Sequence, residues 1–229
     1  WIESDLNDIP ALEEAFTDVT EVYHCAAMVT FTSSENEKMQ KINIEGTANM
    51  VNLSLAFSVK KFCYISSIAT LDETIIGTNL IDESSNWNPN GSHSDYAISK
   101  FGGETEVWRA AQEGLNVVIV NPGVIFGTGF PDQGSGEIIS KIKAGFPFYT
   151  NGKTGIVSVN DVVNCMLLLM NGDFFNKRYI LISENISYEN LFKTIAKKHN
   201  KQINFLEARK WMLEIAWRCD WLLTFIIPN

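Results

Sequence analysis

The sequence predicts a doubly wound α/β fold, a mostly parallel sheet with helices on both faces, and two observations carry that reading. Short β-branched or aromatic runs alternate with longer stretches of helical period. Helix-start chemistry falls between those runs. The runs predict strands at Val19 to Ala26, Lys61 to Ser66, Asn116 to Asn121 and Arg178 to Ile182.

Each helix has its own signal. Asp8 caps a segment reaching Phe16, with Pro10 in its first turn. Ser34-x-x-Glu37 is a capping box opening a long helix towards Phe57. Ser94 to Gln112 forms a third, with Ala97, Phe101, Trp108 and Ala111 on one face. Asn160 caps a fourth running through Met170, almost wholly apolar and so expected to be buried on most sides. Two stretches interrupt the alternation. Thr70 to His93 is rich in Asn, Ser and Gly and long enough to predict a functional loop. Gly123 to about Val157 predicts a loop, a short helix and a hairpin, which with the tail after Glu184 would cap the strand ends.

Composition narrows the function. A chain of 229 residues, 45% hydrophobic and 20% charged, is long enough for one large domain with an appendage. A net charge of -9 and a pI near 4.9 argue against binding nucleic acid, which needs a basic face, and against an acidic membrane surface. Cys25, Cys63, Cys165 and Cys219 are widely spaced with no C-x-x-C pair, so they are expected as free thiols. The opening Trp1-Ile2-Glu3-Ser4-Asp5 is unlike a signal peptide, and no apolar run approaches the roughly 20 residues of a membrane span. A cytoplasmic protein is expected, with the Asn-x-Ser matches at Asn52, Asn90 and Asn185 unused. Both ends of the chain read as cut.

The candidate chemistry starts at Tyr96-Ala97-Ile98-Ser99-Lys100, which places a phenol and an ammonium one helical turn apart on the same face. A phenol with a pKa near 10 is a poor proton donor or acceptor at neutral pH, and a neighbouring cation is expected to lower that value. Alone, the spacing fits equally a Tyr at a helix start followed by a solvated Lys. Phe62-Cys63-Tyr64-Ile65-Ser66-Ser67-Ile68 adds a buried-strand pattern ending in two hydroxyls, where open α/β sheets hold their ligands. A strand-end Ser can also simply cap the next turn. The combination of strand-end hydroxyl, loop, and helix with Tyr and Lys is more telling than any one part.

These motifs resemble the extended short-chain dehydrogenase/reductases, the NAD-dependent epimerase/dehydratase superfamily, nearest to the dihydroflavonol 4-reductase and 3β-hydroxysteroid dehydrogenase branch. The resemblance extends through Val22-Tyr23-His24-Cys25-Ala26-Ala27, Asn43-Ile44-Glu45-Gly46-Thr47, Asn121-Pro122-Gly123-Val124-Ile125-Phe126-Gly127 and Val159-Asn160-Asp161-Val162-Val163. It implies a Rossmann-type sheet with a small C-terminal substrate cap. Residues 1–135 and 156–182 would be the dinucleotide-binding domain, and 136–155 and 183–229 the cap. Tyr96 would be the general acid or base, Lys100 would steady the tyrosinate and the ribose, and Ser67 would polarise the substrate oxygen, with Ser66 the fallback. NAD or NADP is implied, leaning to NADP. Cys25, Ala26, Ala27, Asn43, Ser66, Tyr96 and Lys100 would contact it, Pro122, Gly123, Val124 and Ile125 would wall the nicotinamide, and Asp5 and Leu6 would lie against the adenine. Asp5 as a helix cap and Leu6 as a core residue is the competing account of that pair.

The resemblance also implies a glycine-rich turn on an N-terminal βαβ portion that this sequence does not contain. The expected function is reduction of a carbonyl, or oxidation of a secondary alcohol, of a small and fairly apolar molecule. Nucleotide-sugar epimerase or dehydratase is the first alternative and a non-catalytic NAD(P)-binding sensor the second. A homodimer pairing the helices that start near Ser34 and Ser94 is implied too, and no metal. His24 reads as a core histidine, His93 as a residue that reaches substrate or only its own loop, and His199 as a helix end. Trp211, Trp217 and Trp221 read as packing between cap helices or as a substrate or partner surface.

Overall fold

The computed structural model describes residues 1–30, 32–72, 78, 80–209 and 211–212. Its elements, in order, are α1 (Ile9–Ala15), β1 (Glu21–His24), a 3₁₀ turn (Ser33–Glu35), α2 (Asn36–Gln40), a π turn (Lys41–Glu45) and α3 (Gly46–Ala56). Then come β2 (Lys61–Ile65), a 3₁₀ turn (Ile68–Thr70), α4 (Asp95–Gln112), β3 (Val117–Pro122), β4 (Val124–Phe126) and α5 (Ser135–Lys143). The remainder is β5 (Phe148–Tyr149), β6 (Lys153–Ser158), α6 (Val159–Asn171), β7 (Lys177–Leu181), β8 (Glu184–Ser187), α7 (Tyr188–Lys198) and β9 (Leu206–Glu207). They divide into two compact units, residues 1–125 with 157–182, and residues 126–156 with 183–229.

The first unit is built on a parallel sheet of order β1-β2-β3-β7. Side chains alternate across a strand, so each strand feeds two cores. Phe62, Tyr64, Val117 and Ile119 join Leu12, Val51 and Val107 of the helices on one face. Cys63, Val118 and Val120 join Val162, Met166 and Leu169 of α6 on the other. All six residues of β3 are buried, as a central parallel strand requires. The four predicted strands are all present, though β1 is shorter than the run Val19 to Ala26.

Local signals held unevenly. Asp8 caps α1, accepting from Ala11 N, and Ser94 caps α4, accepting from Ala97 N. The predicted capping box does not form. Ser33–Glu35 is a 3₁₀ turn, and Glu35 instead accepts from the Thr30 hydroxyl at 2.7 Å. Ser158, not Asn160, caps α6, because the Ser158 hydroxyl accepts from Asp161 N. The same helix is not buried on most sides: Val163, Leu167 and Leu168 are exposed. Its carboxyl end is held by an unusual device, the buried Lys61 ammonium donating to the carbonyls of Leu169 at 2.6 Å and Gly172 at 2.7 Å. The buried face of α4 runs through Ala97, Lys100, Gly103, Glu104, Val107 and Ala110, a face that includes two charges and so differs from the one apolar periodicity chose.

In the second unit the predicted hairpin is absent. β5 pairs in parallel with β9, and β6 pairs antiparallel with β8. Trp211 is exposed, while Trp217, Trp221 and Cys219 lie outside the described residues. Among the described residues no helix is long and apolar enough to cross a membrane, and no group of metal-ligating side chains is found.

Among the glycines of the first unit, Gly103 is the most tightly packed. A Cβ there would lie 2.4 Å from the Tyr64 hydroxyl and 2.5 Å from the Asn43 carbonyl oxygen. One of these obstacles is backbone and neither is a flexible chain end. Gly103→Ala is therefore expected to destabilise the fold by about 1–3 kcal/mol, as overpacked cores do. Chemical denaturation measures this, and an unchanged midpoint would show that α4 can withdraw freely.

Candidate active site

Three elements of the first unit deliver the candidate residues. The carboxyl end of β2 runs into Ser66 and Ser67, the first two turns of α4 carry Tyr96 and Lys100, and the chain leaving β1 exposes Cys25, Ala26 and Ala27. Tyr96 and Ser67 face one another, close enough for the Ser67 hydroxyl to act on the phenol and draw its pKa down. Ser67 is itself held in extended geometry, its hydroxyl accepting from Ala69 N at 3.1 Å as the cap of the following 3₁₀ turn. Ser66 points elsewhere, buried, donating to Glu104 Oε2 at 2.5 Å.

Lys100 is not the solvated lysine that its spacing also permitted. It is 3% exposed, donates to the Ile65 carbonyl at 2.7 Å, and its ammonium lies 4.5 Å from the centre of the Tyr64 ring. Burial draws its pKa down to about 8, against the opposing pull of the negative charge on Glu104. The expectation that Lys100 lowers the Tyr96 pKa is corrected. Burial pushes the phenol above its ordinary value, and the nearby Ser67 hydroxyl offsets part of that. Lys100 is committed to Ile65 and Tyr64 and is not what sets the phenol.

Behind these residues Asn43, 1% exposed, acts as a clasp. Its Oδ1 accepts from Met28 N at 2.7 Å, while Nδ2 donates to Met28 O and to Ser99 Oγ, both at 2.9 Å. Ser99 in turn donates to the Tyr96 carbonyl at 2.8 Å. Asn43 thus ties the segment after β1 to the turn of α4 bearing Tyr96. It sits in the π turn, a widening of the helix that often marks functional sites. The Thr47 hydroxyl donates to Asn43 O at 2.7 Å, so the contact of 3.0 Å with His24 has His24 Nε2–H as donor. His24 is a satisfied core histidine, as its sequence context implied.

The other candidates are placed as follows. Pro122 is buried at the end of β3, and Gly123, Val124 and Ile125 follow it, partly exposed. Asp5 is exposed and accepts from the backbone and side chain of Asn7, which hold its carboxyl below the usual range. Asp5 is not a helix cap, since Asp8 fills that role. Leu6 packs on Gly46, where an added Cβ would come within 2.9 Å of it. His93 stacks on Trp87, with centroids 3.6 Å apart, and its Nε2 faces Asn88 O at 2.7 Å and Asp72 at 3.1 Å. It also lines, with Thr30, Asn36, Ser94, Asp95 and Tyr96, a cavity of about 190 Å³. Sequence reasoning missed Glu104. The only available sign was its place two turns beyond Tyr96 on the same face of α4.

Small exposed residues at a parallel strand's carboxyl end, beside a lysine with one of three donors spent on Ile65, fit the approach of a nicotinamide nucleotide. Comparison with known proteins agrees. Residues 1–180 match the model of the NAD dependent epimerase/dehydratase family. The chain belongs to that family. It is 30% identical over 233 residues to a putative dihydroflavonol 4-reductase of Synechocystis, covering 95% of this chain and 65% of that relative. It is 26% identical to UDP-glucose 4-epimerase of Vibrio cholerae, covering 79% of this chain and 56% of that one. The chain therefore spans less than two thirds of these curated relatives. Among solved structures, that of gox2253 superposes with a TM-score of 0.84 at 28% identity, over 97% of this chain and 68% of that one. The family is NAD dependent, its members here named reductases and epimerases, and the parallel sheet of the first unit is the family's Rossmann-type sheet.

His24 yields a prediction about acid. Burial first, then the Lys100 charge, lower its pKa from 6.5 to about 4, so the folded state resists protonation that the unfolded chain accepts. Stability from this group is complete above about pH 6.5 and is lost as pH falls towards about 4. His24→Gln should flatten that part of the stability profile measured by urea denaturation. A slope identical to the parent's would remove His24 as its source.

Proposed function

We propose that this chain carries the catalytic residues of an NAD(P)-dependent oxidoreductase that reduces a carbonyl, or in reverse oxidises a secondary alcohol, of a small molecule. The observation that supports it most is the placing of the Tyr96 phenol within the influence of the Ser67 hydroxyl just past the carboxyl end of β2, with the buried Lys100 one turn along α4. In this reading Ser67 donates to the substrate oxygen and Tyr96 passes its proton to that oxygen as negative charge develops there. The phenolate left behind is stabilised by the Lys100 ammonium. A bound nicotinamide supplies the hydride, or receives it in reverse. The free donors of Lys100 would take the ribose hydroxyls, Cys25, Ala26, Ala27 and Asn43 would line the approach, and Pro122, Gly123, Val124 and Ile125 would wall the ring. Asp5 and Leu6 would flank the adenine.

A phenol whose pKa burial has raised keeps its proton at neutral pH, which suits a donor in the reductive direction. The cavity beside Tyr96 is lined by residues that each carry a polar group but exposes polar and apolar surface about equally, so the part of the substrate next to the reacting carbon would combine a polar group with apolar carbon, on a fairly apolar molecule. A nucleotide-sugar epimerase or dehydratase is the second reading, favoured by the relatives and solved neighbours named as UDP-glucose 4-epimerases. The two part on one measurement: a reductase consumes NADH or NADPH in proportion to product, whereas an epimerase interconverts sugars with no net change in the nucleotide. The same assay run with each nucleotide separates NAD from NADP, the family resemblance leaning to NADP. The protein is expected to work as a homodimer in the cytoplasm.

In the complete protein, Tyr96→Phe should lower turnover by about 10² or more while leaving nucleotide binding intact. Full activity would remove Tyr96 as the acid, and a parent inert on ketones, aldehydes and nucleotide sugars alike would favour the sensor reading. Because Lys100 loses its proton as pH rises through about 8, reductive kcat should decline above that pH. Lys100→Arg, charged at every accessible pH, should lose that limb. A limb that persists in this variant belongs to some other group.

A further inference from the structure

We propose that Glu104 is the positioning residue of this site, locking the strand-end serines to the helix that bears Tyr96 and Lys100 and placing a negative charge one turn beyond the Lys100 ammonium. The inference rests on the reading of Tyr96 and Lys100 given above. Glu104 is 2% exposed and its carboxylate is saturated. Oε2 accepts from Ser66 Oγ at 2.5 Å, Thr70 Oγ1 at 2.9 Å and Asn121 Nδ2 at 3.0 Å. Oε1 accepts from Trp108 Nε1 at 3.2 Å and faces Arg178 Nη1 at 3.5 Å. Five polar groups crowd a buried carboxylate with about four lone-pair sites, so Glu104 has no room for substrate and acts through other residues.

What it holds is the Ser67 turn. Asn121 Nδ2 also reaches the Ser67 carbonyl at 3.1 Å, and Thr70 Oγ1 lies 2.9 Å from that carbonyl and from the carboxylate alike, its single proton serving one or the other. The backbone that aims the Ser67 hydroxyl at Tyr96 is therefore fixed from beneath by a net centred on one ion. Tyr96, Lys100 and Glu104 succeed one another at intervals of four on α4, so the net also sets the register of helix against strand.

Its second effect is electrostatic. The groups facing Lys100 are Glu104 on α4, the Cys25 thiol after β1, the Tyr64 ring on β2, His24 on β1 and Tyr96 on its own helix; Arg178 of β7 lies on the far side of Glu104. Burial works against the ammonium and the Glu104 charge works for it. A neutral side chain at 104 would leave the burial cost unopposed, and Lys100 would lose its proton near neutrality. A packing role alone would need no charge, because a buried ion with a single imperfect ion pair costs more than an apolar residue of the same size.

The test is the titration of Lys100 in the complete protein by NMR of its ¹³Cε and ¹⁵Nζ, assigned by loss of the signal in Lys100→Met. The parent midpoint should lie near about 8. Glu104→Gln should lower it by about one pH unit, and Glu104→Asp, which keeps the charge, should restore it. The high-pH limb of kcat should move with that midpoint, kcat at neutral pH falling about tenfold or more while KM changes less. A Glu104→Gln protein with reduced thermal stability but an unmoved Lys100 midpoint would overturn the proposal and leave Glu104 a structural anchor. Should Glu104→Gln not fold, Glu104→Met combined with Arg178→Met removes carboxylate and facing cation together, and a downward shift is still required of it, smaller because a repelling charge is lost too. The titration does not depend on turnover. A parent that converts no substrate counts against the oxidoreductase reading, whereas an unmoved midpoint in an active enzyme counts against Glu104.

Discussion

A carboxylate shut away from water has to be satisfied by protein donors, and here the donors are the groups a reactive site needs to hold still. Glu104 gathers Ser66 from the end of β2, Thr70 from the turn beyond it, Asn121 from β3, Trp108 from α4 and Arg178 from β7. Each of these elements could slide or rotate by a fraction of an ångström at little cost to apolar packing, because hydrophobic burial is not directional. Hydrogen bonds to a charge are directional and stronger than neutral ones, so the carboxylate turns an approximate stack into a defined one. The arrangement carries a penalty, since the ion has been taken out of water, and five donors from strands and helix together offset it.

A second clasp lies beside the first on α4. Gly102 and Gly103 let that helix approach the π turn so closely that a Cβ at Gly102 would meet the Ile44 side chain at 2.6 Å. The approach brings Asn43 within reach of Ser99, and through it of the Tyr96 carbonyl. A regular helix from residue 36 to 56 would rotate Asn43 differently, since a π turn closes its hydrogen bonds over five residues instead of four. Tyr96 is therefore held by its backbone on one side and by the register of α4 on the other. Its phenol is the part left to interact with Ser67.

The β-branched runs at 61–65 and 117–122, being buried on both faces, were legible as strands because no other arrangement hides such runs. Asp8 and Ser94 were legible because a cap is local chemistry. The pair Tyr96 and Lys100 was legible for the same reason: helical spacing alone puts them on one face. What could not be read was whatever depended on a partner distant in sequence. Apolar periodicity placed the buried face of α4 on Ala97, Phe101, Trp108 and Ala111, of which Ala97 is buried and Trp108 and Ala111 pack against the core, but it has no way to count Lys100 and Glu104 as interior, and they are interior only because Ile65, Ser66 and Asn121 come to meet them. Ser66 and Ser67 could not be told apart for a related reason. Adjacent residues on a strand point to opposite sides, and the position of Glu104 decides which hydroxyl is left for Tyr96. The β5–β9 pairing, across more than fifty residues, left no local trace at all.

The largest departure from expectation concerns the phenol, and it follows from where the charges are. A cation one turn away lowers a phenol's pKa only when little else competes for it and the phenol remains solvated. Here the ammonium gives one donor to the Ile65 carbonyl and lies over the Tyr64 ring, while the same burial that draws Lys100 down raises Tyr96. The two shifts have opposite signs because one group is charged when protonated and the other when deprotonated, yet they share a cause. Desolvation favours neutral tyrosine and neutral lysine together, so the site is poised to keep a proton on Tyr96 and is close to losing one from Lys100. A negative charge that water cannot screen, fixed one turn beyond the lysine, is the element that sets the second tendency against the first.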